Sequence, residues 1–341
     1  MCSLIQFERK GNVFCRCQQE KQEKVLSLLT KEETSPTMME EVYKLYREVF
    51  PYICREEETL REIIGHDSNI RIEKRNDGHE LIAVSLIRKN TILLLVVRED
   101  YRRQGVGSHL LRESEDVIRQ RGYNKVVLGV GDDYLMPGVP TSKRYFPAEH
   151  ENLYHFLNTE ASDFFERRGY KHSWHDSNCF DMRMSLKDFP NESPNVGDTI
   201  NGCHYRWANA NDLEGIIKCV QEAEEDFVEY YRNPDLYVSN DHERVLVAIV
   251  NHEIVGTLIV GFETEGKGQG CVGCTTVKPS QRGRHIGVNM VMIGTRSLKD
   301  AGLDTATLSY TYSGLDHMYG YSGYQICTYY MMGEKYLTFG K

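Results

Sequence analysis

The stretch Val97–Ser108 reads VREDYRRQGVGS, and the stretch Val277–Val288 reads VKPSQRGRHIGV. Each follows an apolar run of strand length, Ile92–Val97 in the first case and Cys271–Val277 in the second. Each also precedes apolar residues at helical spacing, and a glycine follows where that helix is expected to end. A strand, a glycine-containing turn and a helix that occur twice in one chain predict an internal repeat.

A second pair of similar segments lies downstream. Phe164–Tyr170 reads FFERRGY, and Met318–Tyr324 reads MYGYSGY. The first copy carries an insertion of ~26 residues between its two motifs, around 131–157, and loops of that length are typically functional or act as covers. We expect a structural cover or a brace between domains, with a substrate loop as the alternative.

The repeat predicts two domains of the α/β class, each with a mixed α+β central sheet flanked by helices. The stretch 186–201 is rich in Pro, Asn and Asp, as linkers are. We therefore place an N-terminal domain at 1–190 and a C-terminal domain at 200–341. The predicted helical parts that open the copies are 36–65 and 209–231. The predicted strands are 70–75, 81–88, 91–97, 125–130 and 171–184 in the first copy, and 244–250, 254–262, 271–277, 305–309 and 325–332 in the second.

The composition excludes several classes of protein. The chain has 341 residues, a net charge of −9, 40% hydrophobic residues and ten cysteines, which is typical of two globular domains and not of a disordered chain. No apolar run approaches the ~18 residues of a membrane helix, and the first residues have no signal-peptide pattern. Scattered cysteines favour a reducing compartment, and the acidic balance argues against nucleic acid. We predict a cytoplasmic protein with neither a membrane nor a nucleic-acid partner.

The glycine-containing turns have a direct physical use. Backbone N–H groups at a helix N-terminus lack intrahelical partners, and the helix dipole adds positive potential, so an anion such as a pyrophosphate fits there. Gly105 and Gly107 let the backbone approach phosphates closely, while Arg98, Arg102 and neighbouring arginines offer charged donors. The turn is neither a dinucleotide fingerprint nor a P-loop, because a third glycine and a G-K-[ST] sequence are missing.

Taken together, the two pairs of motifs resemble those of the GNAT superfamily of acetyl-CoA-dependent N-acetyltransferases, in its tandem two-domain form. The resemblance covers roughly 36–186 and 202–333. It implies that the turn binds the pyrophosphate of acetyl-CoA and that the pantetheine arm pairs with the preceding strand. The resulting candidates for acetyl-CoA binding are Val97, Arg102, Arg103, Gln104, Gly105, Val106, Gly107 and Ser108 in the first copy, and Thr275, Val277, Arg282, Gly283, Arg284, His285, Ile286 and Gly287 in the second.

The two copies depart from the family pattern at different points. The family's tyrosine, four residues before the glycine of the second motif, protonates the departing thiolate. That position holds Phe165 in the first copy and Tyr319 in the second. In the second copy His285 replaces the middle glycine of the turn, which we expect to be tolerated because backbone N–H groups do the binding. We therefore expect chemistry in the second domain, and coenzyme binding or a scaffold role in the first.

The acceptor amine must lose a proton before it attacks the thioester. The strand 271–277 contains no acidic residue, so Glu225 and Asp226, in the acidic run Glu222–Glu229, are our candidates for the base. A backbone N–H near Thr275 or Val277 is expected to stabilise the oxyanion. The alternative interpretations are a solvated acidic helix face and a core role for the tyrosine.

These observations predict a transferase that moves acetyl from acetyl-CoA to a primary amine of a small cationic molecule. A non-catalytic acyl-CoA-binding sensor or scaffold and a protein N-acetyltransferase are the alternatives. The chain is expected to be a monomer or a homodimer. Cys271 and Cys274 are three positions apart in a predicted strand, which places them on opposite faces, so no metal site is predicted.

Overall fold

The computed structural model describes residues 26–29, 36–50, 57–65, 69–74, 81–129, 135–142, 161–174, 177–238, 242–262 and 268–338. It divides into two compact units that are not continuous in sequence. The first unit consists of Met1–Val139, Asp163–Ser173 and Met332–Lys341, and the second of Pro140–Ser162 and Trp174–Met331.

The first unit is built on a seven-stranded mixed sheet, in the order β1-β2-β3-β4-β5-β16-β7. Only β4 and β5 are parallel among the pairs described. Its strands are β1 (Leu26–Leu29), β2 (Asn69–Lys74), β3 (Leu81–Arg88), β4 (Thr91–Val97), β5 (Lys125–Leu128), β7 (Lys171–His172) and β16 (Gly333–Tyr336). Its helices are α1 (Pro36–Val49), α2 (Glu57–Gly65), α3 (Val106–Gln120) and α4 (Ala161–Glu166), the last belonging to this unit from Asp163 on.

Apolar residues at helical spacing hold α1 on this sheet. Met38, Val42 and Leu45 are buried in one core with Leu86 and Leu94 of the strands. Each such side chain contributes ~1.5–3 kcal/mol relative to exposure. Because α1 and α3 both contact β3, seven of its eight residues are buried, which explains a nearly continuous apolar sequence instead of an alternating one.

The second unit is built on a nine-stranded mixed sheet, in the order β6-β15-β8-β14-β13-β12-β11-β10-β9. Among its described pairs, β13 and β14 are the parallel one. Its strands are β6 (Val139–Thr141, from Pro140 on), β8 (Cys179–Ser185), β9 (Thr199–Ile200), β10 (Cys203–Trp207), β11 (Glu243–Val250), β12 (Glu253–Gly261), β13 (Gln269–Val277), β14 (Thr305–Tyr312) and β15 (Gln325–Met331). Its helices are α5 (Leu213–Ala223), α6 (Val228–Tyr231), α7 (Ile286–Asp300) and α8 (Asp316–Gly320).

Mixed sheets flanked by helices in both units confirm the predicted fold class. The strands expected before each turn are present within two residues of their predicted bounds. Among the described residues, no helix combines the length and the apolar composition needed to cross a bilayer.

The final strand of each copy differs from the prediction. The segment 171–184 forms two strands, β7 and β8, and β8 pairs with β14 and β15 in the second sheet. The segment 325–332 supplies β15, and the next strand, β16, pairs with β5 and β7 in the first sheet. The units therefore differ from the predicted domains 1–190 and 200–341. The apolar pattern of a strand locates the strand without specifying its partner.

The predicted linker and insertion also acquire structure. Thr199–Ile200 pairs with β10, and Leu186–Asp188 forms a 3-10 turn, so 186–201 belongs to the second unit. Within the insertion, β6 lies at an edge of the nine-stranded sheet. The parts 131–134 and 143–157 of the insertion lie outside the described residues.

Candidate active site

In each unit the two parallel strands separate soon after they begin to pair. β4 pairs with β5 at Thr91 and Ile92 but continues to Val97. β13 pairs with β14 from Gln269 to Cys271 but continues to Val277. Beyond those residues, no described strand pairs with the edge of β4 that faces β5, or with the edge of β13 that faces β14. The backbone N–H and carbonyl groups of these two edges are therefore open. Such an edge offers backbone groups to an extended ligand, as in strand addition.

The first cradle is the turn between β4 and α3. Gly105 caps α3 with a φ of 88°, a left-handed conformation that glycine adopts without strain. The helical ladder starts where the His109 N–H donates to the Gly105 carbonyl at 3.0 Å. The N–H groups of Val106, Gly107 and Ser108 precede that bond, and they point out of the helix N-terminus. A Cβ at Gly107 would touch Val97 Cγ2 at 3.4 Å.

The second cradle, between β13 and α7, has the same backbone conformation. His285 caps α7 with a φ of 59°, and its carbonyl accepts from the Asn289 N–H at 2.9 Å. Histidine is one of the few side chains that is enriched in this conformation. Gly283 occupies the position that Arg103 has in the first cradle, and both have a positive φ, 77° for Gly283 and 61° for Arg103. A Cβ at Gly287 would lie 3.0 Å from Met318 Sδ.

The matching arginines fasten each turn to the strand before it. Arg102 Nε donates to the Val97 carbonyl at 3.0 Å, and Arg282 Nε donates to the Val277 carbonyl at 3.2 Å. Arg282 Nη2 also reaches the Ala223 carbonyl at 3.4 Å. These arginines therefore stabilise the turns through the hydrogen bonds of Nε, and their guanidinium groups also place positive charge beside each turn.

The remaining predicted cradle side chains have contacts of their own. Gln104 Nε2 donates to the Asp100 carbonyl at 2.8 Å. Arg284 donates to the Gln281 side chain and, through Nη2 at 3.2 Å, to the Asn201 carbonyl.

The residue directly after β4 is Arg98 and the one directly after β13 is Lys278, and both form ion pairs. Arg98 Nε lies 3.5 Å from a Glu48 carboxylate oxygen, which differs from the expectation that it would face a phosphate. At the matching position Lys278 is buried and its Nζ lies 3.0 Å from Glu222 and 2.7 Å from Glu253. Burial lowers the pKa of Lys278, but the bonds to Glu253 and Glu222 outweigh it and raise that pKa.

Tyr319 lies beside the open edge of β13. Its hydroxyl is 3.1 Å from Thr275 Oγ1, and the side chain is buried. Thr275 follows a bulge, at which Cys274 has a φ of 48° and the register with β12 shifts. The Tyr231 hydroxyl donates to the Cys274 carbonyl at 2.6 Å and supports that bulge. Burial raises the pKa of Tyr319 to about 12, although the Thr275 hydroxyl lowers it, so the phenol is protonated at neutral pH.

The first unit has no hydroxyl at the matching position. Phe165 is buried, and its ring packs edge-on against Phe164 at 5.0 Å and Tyr170 at 5.5 Å. Sequence reasoning missed Arg168, which lies 3.8 Å from the Phe164 ring centroid and donates through Nη2 to Ser108 Oγ at 2.6 Å. A guanidinium thus reaches the first turn of α3, and the second arginine of FFERRGY was its only signal.

The acidic run Glu222–Glu229 lies in the second unit. Glu225 and Asp226 are exposed in a 3-10 turn, and within the described residues no hydrogen bond or ion pair joins either to Tyr319. Glu224 is half-buried. Burial, and then the Glu224 carboxylate, raise the pKa of Tyr312, and the Tyr312 hydroxyl in turn adds to the pKa of Tyr319. Glu224, which sequence reasoning passed over, is therefore the acid of this run whose charge acts on Tyr312.

Cys274 of β13 has a free thiol. Burial raises the pKa of Cys274 to about 12, so its thiol is protonated at neutral pH. Among the described residues, no group of three or more histidine, cysteine or acidic side chains is arranged to hold a metal ion.

The comparisons with known proteins agree with this geometry. Residues 32–137 match the model of the acetyltransferase (GNAT) family. They contain β4, the first cradle and α3, and the second unit repeats the same arrangement of strand, turn and helix. The match agrees with the expected resemblance to GNAT acetyltransferases over residues 32–137.

Solved structures of proteins named as GCN5-related or GNAT proteins have a similar fold. One is the glucosamine N-acetyltransferase region of a fungal multi-domain GH3 β-N-acetylglucosaminidase, 17% identical with a TM-score of 0.66; it covers 91% of this chain, which spans only 38% of that protein. A GCN5-related N-acetyltransferase from Sphaerobacter thermophilus is 18% identical with a TM-score of 0.62. The two structures align over 93% of this chain and 96% of that one. A tandem GNAT protein from the clavulanic acid biosynthesis pathway is 11% identical with a TM-score of 0.68. The alignment covers 93% of this chain and 99% of that one. No curated protein matches the chain.

Proposed function

We propose that the second unit transfers acetyl from acetyl-CoA to a primary amine of a small cationic molecule. One observation carries this proposal: the Tyr319 hydroxyl lies 3.1 Å from Thr275 Oγ1, at the open edge of β13. A phenol that is protonated at neutral pH stands there beside the strand expected to pair with the pantetheine arm.

The residues of the second cradle fit acetyl-CoA. The N–H groups of Ile286 and Gly287 precede the first helical bond of α7 and are suited to the pyrophosphate. Gly287 leaves the close approach free, and His285 and Arg284 lie exposed beside it. The open edge from Thr275 to Val277 is suited to the amide groups of an extended arm.

When bound, acetyl-CoA supplies the thioester carbonyl that is attacked and the thiolate that leaves. The amine nitrogen forms the new bond to the carbonyl carbon as the carbon–sulfur bond breaks, and the Tyr319 hydroxyl gives its proton to the sulfur. A protonated amine loses one proton before attack and a second afterwards, and one of the two restores Tyr319. We propose Glu224, with Glu225 and Asp226 beside it, as the carboxylates that receive the first proton through water.

An amine acceptor is supported by two features. Carboxylates of the acidic run produce a negative potential that attracts cations. In addition, one protein of similar fold is named as a glucosamine N-acetyltransferase, and its acceptor is an amine.

The test is turnover with a panel of small amines, followed as release of free thiol from acetyl-CoA. Tyr319→Phe is expected to lower kcat by ~10²-fold or more, because general acid catalysis contributes ~10²–10⁴-fold, with acetyl-CoA affinity unchanged. Tyr324→Phe is the matched control, since that hydroxyl bonds to Thr295 inside the core. An unchanged kcat in Tyr319→Phe would remove the assigned acid.

A second candidate function belongs to the first unit. Phe165 offers no proton, whereas the cradle and the open edge of β4 are complete, and Arg168 adds a cation at Ser108. We propose that this unit binds acyl-CoA without turnover. Calorimetric titration of Gly107→Trp should then show the loss of one acetyl-CoA site while turnover persists, and loss of turnover would contradict the assignment.

A further inference from the structure

The bulge of β13 interrupts the ladder with β12. The register between the two strands shifts here, so that Cys274 and Thr275 together lie opposite Leu258. Cys274 has a φ of 48°, a conformation that residues other than glycine rarely adopt and that persists only where the surroundings hold it. Bulges leave their extra residue unpaired and are frequent beside active sites. A contact from outside the ladder is therefore expected to hold this conformation.

The hydroxyl of Tyr231 supplies that contact. It donates to the Cys274 carbonyl at 2.6 Å, and the Tyr231 side chain is fully buried. The peptide group that contains this carbonyl also contains the Thr275 N–H, and in a trans peptide the two groups point in opposite directions. Tyr231 therefore fixes the direction of the Thr275 N–H as well as that of the carbonyl.

The ladder beside the bulge indicates where that N–H points. The Lys278 N–H donates to the Val255 carbonyl of β12 at 2.9 Å. Hydrogen-bonded and non-hydrogen-bonded residues alternate along an antiparallel ladder, so Val277 and Thr275 direct their N–H groups away from β12, toward the open edge. The Val277 carbonyl agrees with this alternation, because it accepts from Arg282 Nε.

Thr275 thereby brings two useful donors close together. Its Oγ1 lies 3.1 Å from the Tyr319 hydroxyl, and its N–H lies on the edge that an extended thioester arm would occupy. A backbone N–H that is fixed in advance stabilises charge as it develops on a carbonyl oxygen. The acid for the leaving sulfur and the donor for the oxyanion therefore lie at the same residue of β13.

The segment that contains Tyr231 is attached at both ends. At its start, Glu222 lies 3.0 Å from Nζ of the buried Lys278. At its end, the Tyr237 hydroxyl donates to the Tyr231 carbonyl at 2.6 Å. The acidic run lies between these attachments, so the contact from Tyr231 also joins that run to β13.

We propose that Tyr231 is a positioning residue for acetyl transfer: through the Cys274 carbonyl it directs the Thr275 N–H at the thioester carbonyl oxygen of acetyl-CoA. The same hydroxyl joins the acidic run, which contains the proposed proton acceptors, to the strand that holds the thioester. The inference deepens the proposed function and rests on it, but its first test requires no turnover.

Infrared spectroscopy of bound acetyl-CoA is that first test. Acetyl-CoA labelled with carbon-13 at the thioester carbonyl is compared free and bound to the Gly107→Trp protein, in which the second cradle is left to bind it. A hydrogen bond from the Thr275 N–H polarises the carbonyl, so its band should move to lower wavenumber on binding. Adding Tyr231→Phe should remove most of that shift, while the acetyl-CoA Kd stays within about threefold because the cradle is intact. The same band position in both proteins would overturn the proposal.

Kinetics of substituted proteins separate positioning from folding. Tyr231→Phe should lower kcat by about tenfold or more, because a misplaced group near the reacting atoms is costly. Tyr237→Phe removes a hydroxyl from the same segment without touching β13, so it is the matched control and should leave kcat within about twofold. An equal loss in Tyr237→Phe would mean that Tyr231 only stabilises the segment.

A second substitution at the bulge serves as a rescue. Glycine adopts the φ of Cys274 without strain, so Cys274→Gly should keep the bulge in place when the hydroxyl is missing. The double variant Tyr231→Phe with Cys274→Gly is expected to recover part of the kcat and part of the infrared shift. Recovery of neither would contradict the role of Tyr231 at the bulge.

The outcomes distinguish this inference from the proposed function. Acetyl-CoA that binds to the Gly107→Trp protein without a band shift would overturn the inference and leave the proposed function standing. Failure of that protein to bind acetyl-CoA would contradict the proposed function, and the inference with it.

Discussion

The hydroxyl of Tyr319 lies 3.1 Å from Thr275 Oγ1, and the two residues come from different parts of the second repeat, 44 positions apart. Thr275 follows the bulge of β13, and Tyr319 lies on the short helix that follows β14. The contact therefore brings the proposed acid to the edge of the strand at the point where β13 and β14 have separated.

This contact predicts an effect of Thr275 on the pH dependence. Burial raises the pKa of Tyr319 to about 12, and the Thr275 hydroxyl acts against it. Thr275→Val should therefore raise that pKa further and move any alkaline decline of kcat to higher pH, leaving kcat flat across neutral pH. A pH profile of kcat for both proteins measures this, with Thr276→Val as a neighbouring control. A decline that moves to lower pH would contradict the contact.

The buried phenols of the second unit predict its behaviour in alkali. The pKa values of Tyr310 and Tyr319 are each raised to about 12 by burial, above the ordinary value of ~10. The stability that they contribute is complete below pH ~10 and is lost as the pH rises through about 12. Thermal unfolding should show a falling Tm over that range. Tyr319→Phe should reduce the slope, and an unchanged slope would show that this phenol ionises freely.

His285 predicts that the second cradle binds phosphate through its backbone. His285→Gly preserves the left-handed cap, so acetyl-CoA affinity should stay within about threefold, since the N–H groups of the first helical turn remain. Gly105→His in the first unit is the reciprocal variant. Isothermal titration measures both, and a tenfold loss in His285→Gly would mean that the imidazole itself binds the coenzyme.

The terminal strand β16 predicts a stability effect in the first unit. Lys335 Nζ lies 2.9 and 3.0 Å from the two oxygens of Glu115, which also accepts from the Tyr170 hydroxyl at 2.9 Å. Glu115 is buried, so Lys335→Met leaves its carboxylate without a cation, with only the Tyr170 hydroxyl as donor, and should cost about 3 kcal/mol. Lys125→Met breaks a more exposed pair with Glu334 and should cost less than ~1 kcal/mol. Denaturant unfolding of the two variants compares them, and equal costs would contradict the account.

Local patterns in the sequence predicted the repeat, the two cradles and the strand that bears Thr275. Apolar periodicity and glycine spacing are local properties, and the hydrogen bonds within a turn are local too. The partners of β8 and β16 were not predictable, because an alternating strand has the same pattern whichever sheet it joins.

The missed site residues have the same explanation. Arg168 reaches Ser108 from 60 positions away. Glu224 was one acid among several in a run, and only its position beside Tyr312 distinguishes it. Each role depends on which elements meet in space, and spacing along the chain does not encode it.

The most direct test of the central claim, that the second unit performs the chemistry, compares Gly107→Trp with Gly287→Trp. Both glycines occupy the second position of the helix that follows a cradle, and an indole there would fill the space above Val97 or Val277. Acetyl-CoA titration and amine turnover should be measured on both variants and on the unaltered protein. The account predicts that Gly287→Trp loses one coenzyme site and all turnover, whereas Gly107→Trp retains turnover. Turnover that survives in Gly287→Trp and disappears in Gly107→Trp would contradict it.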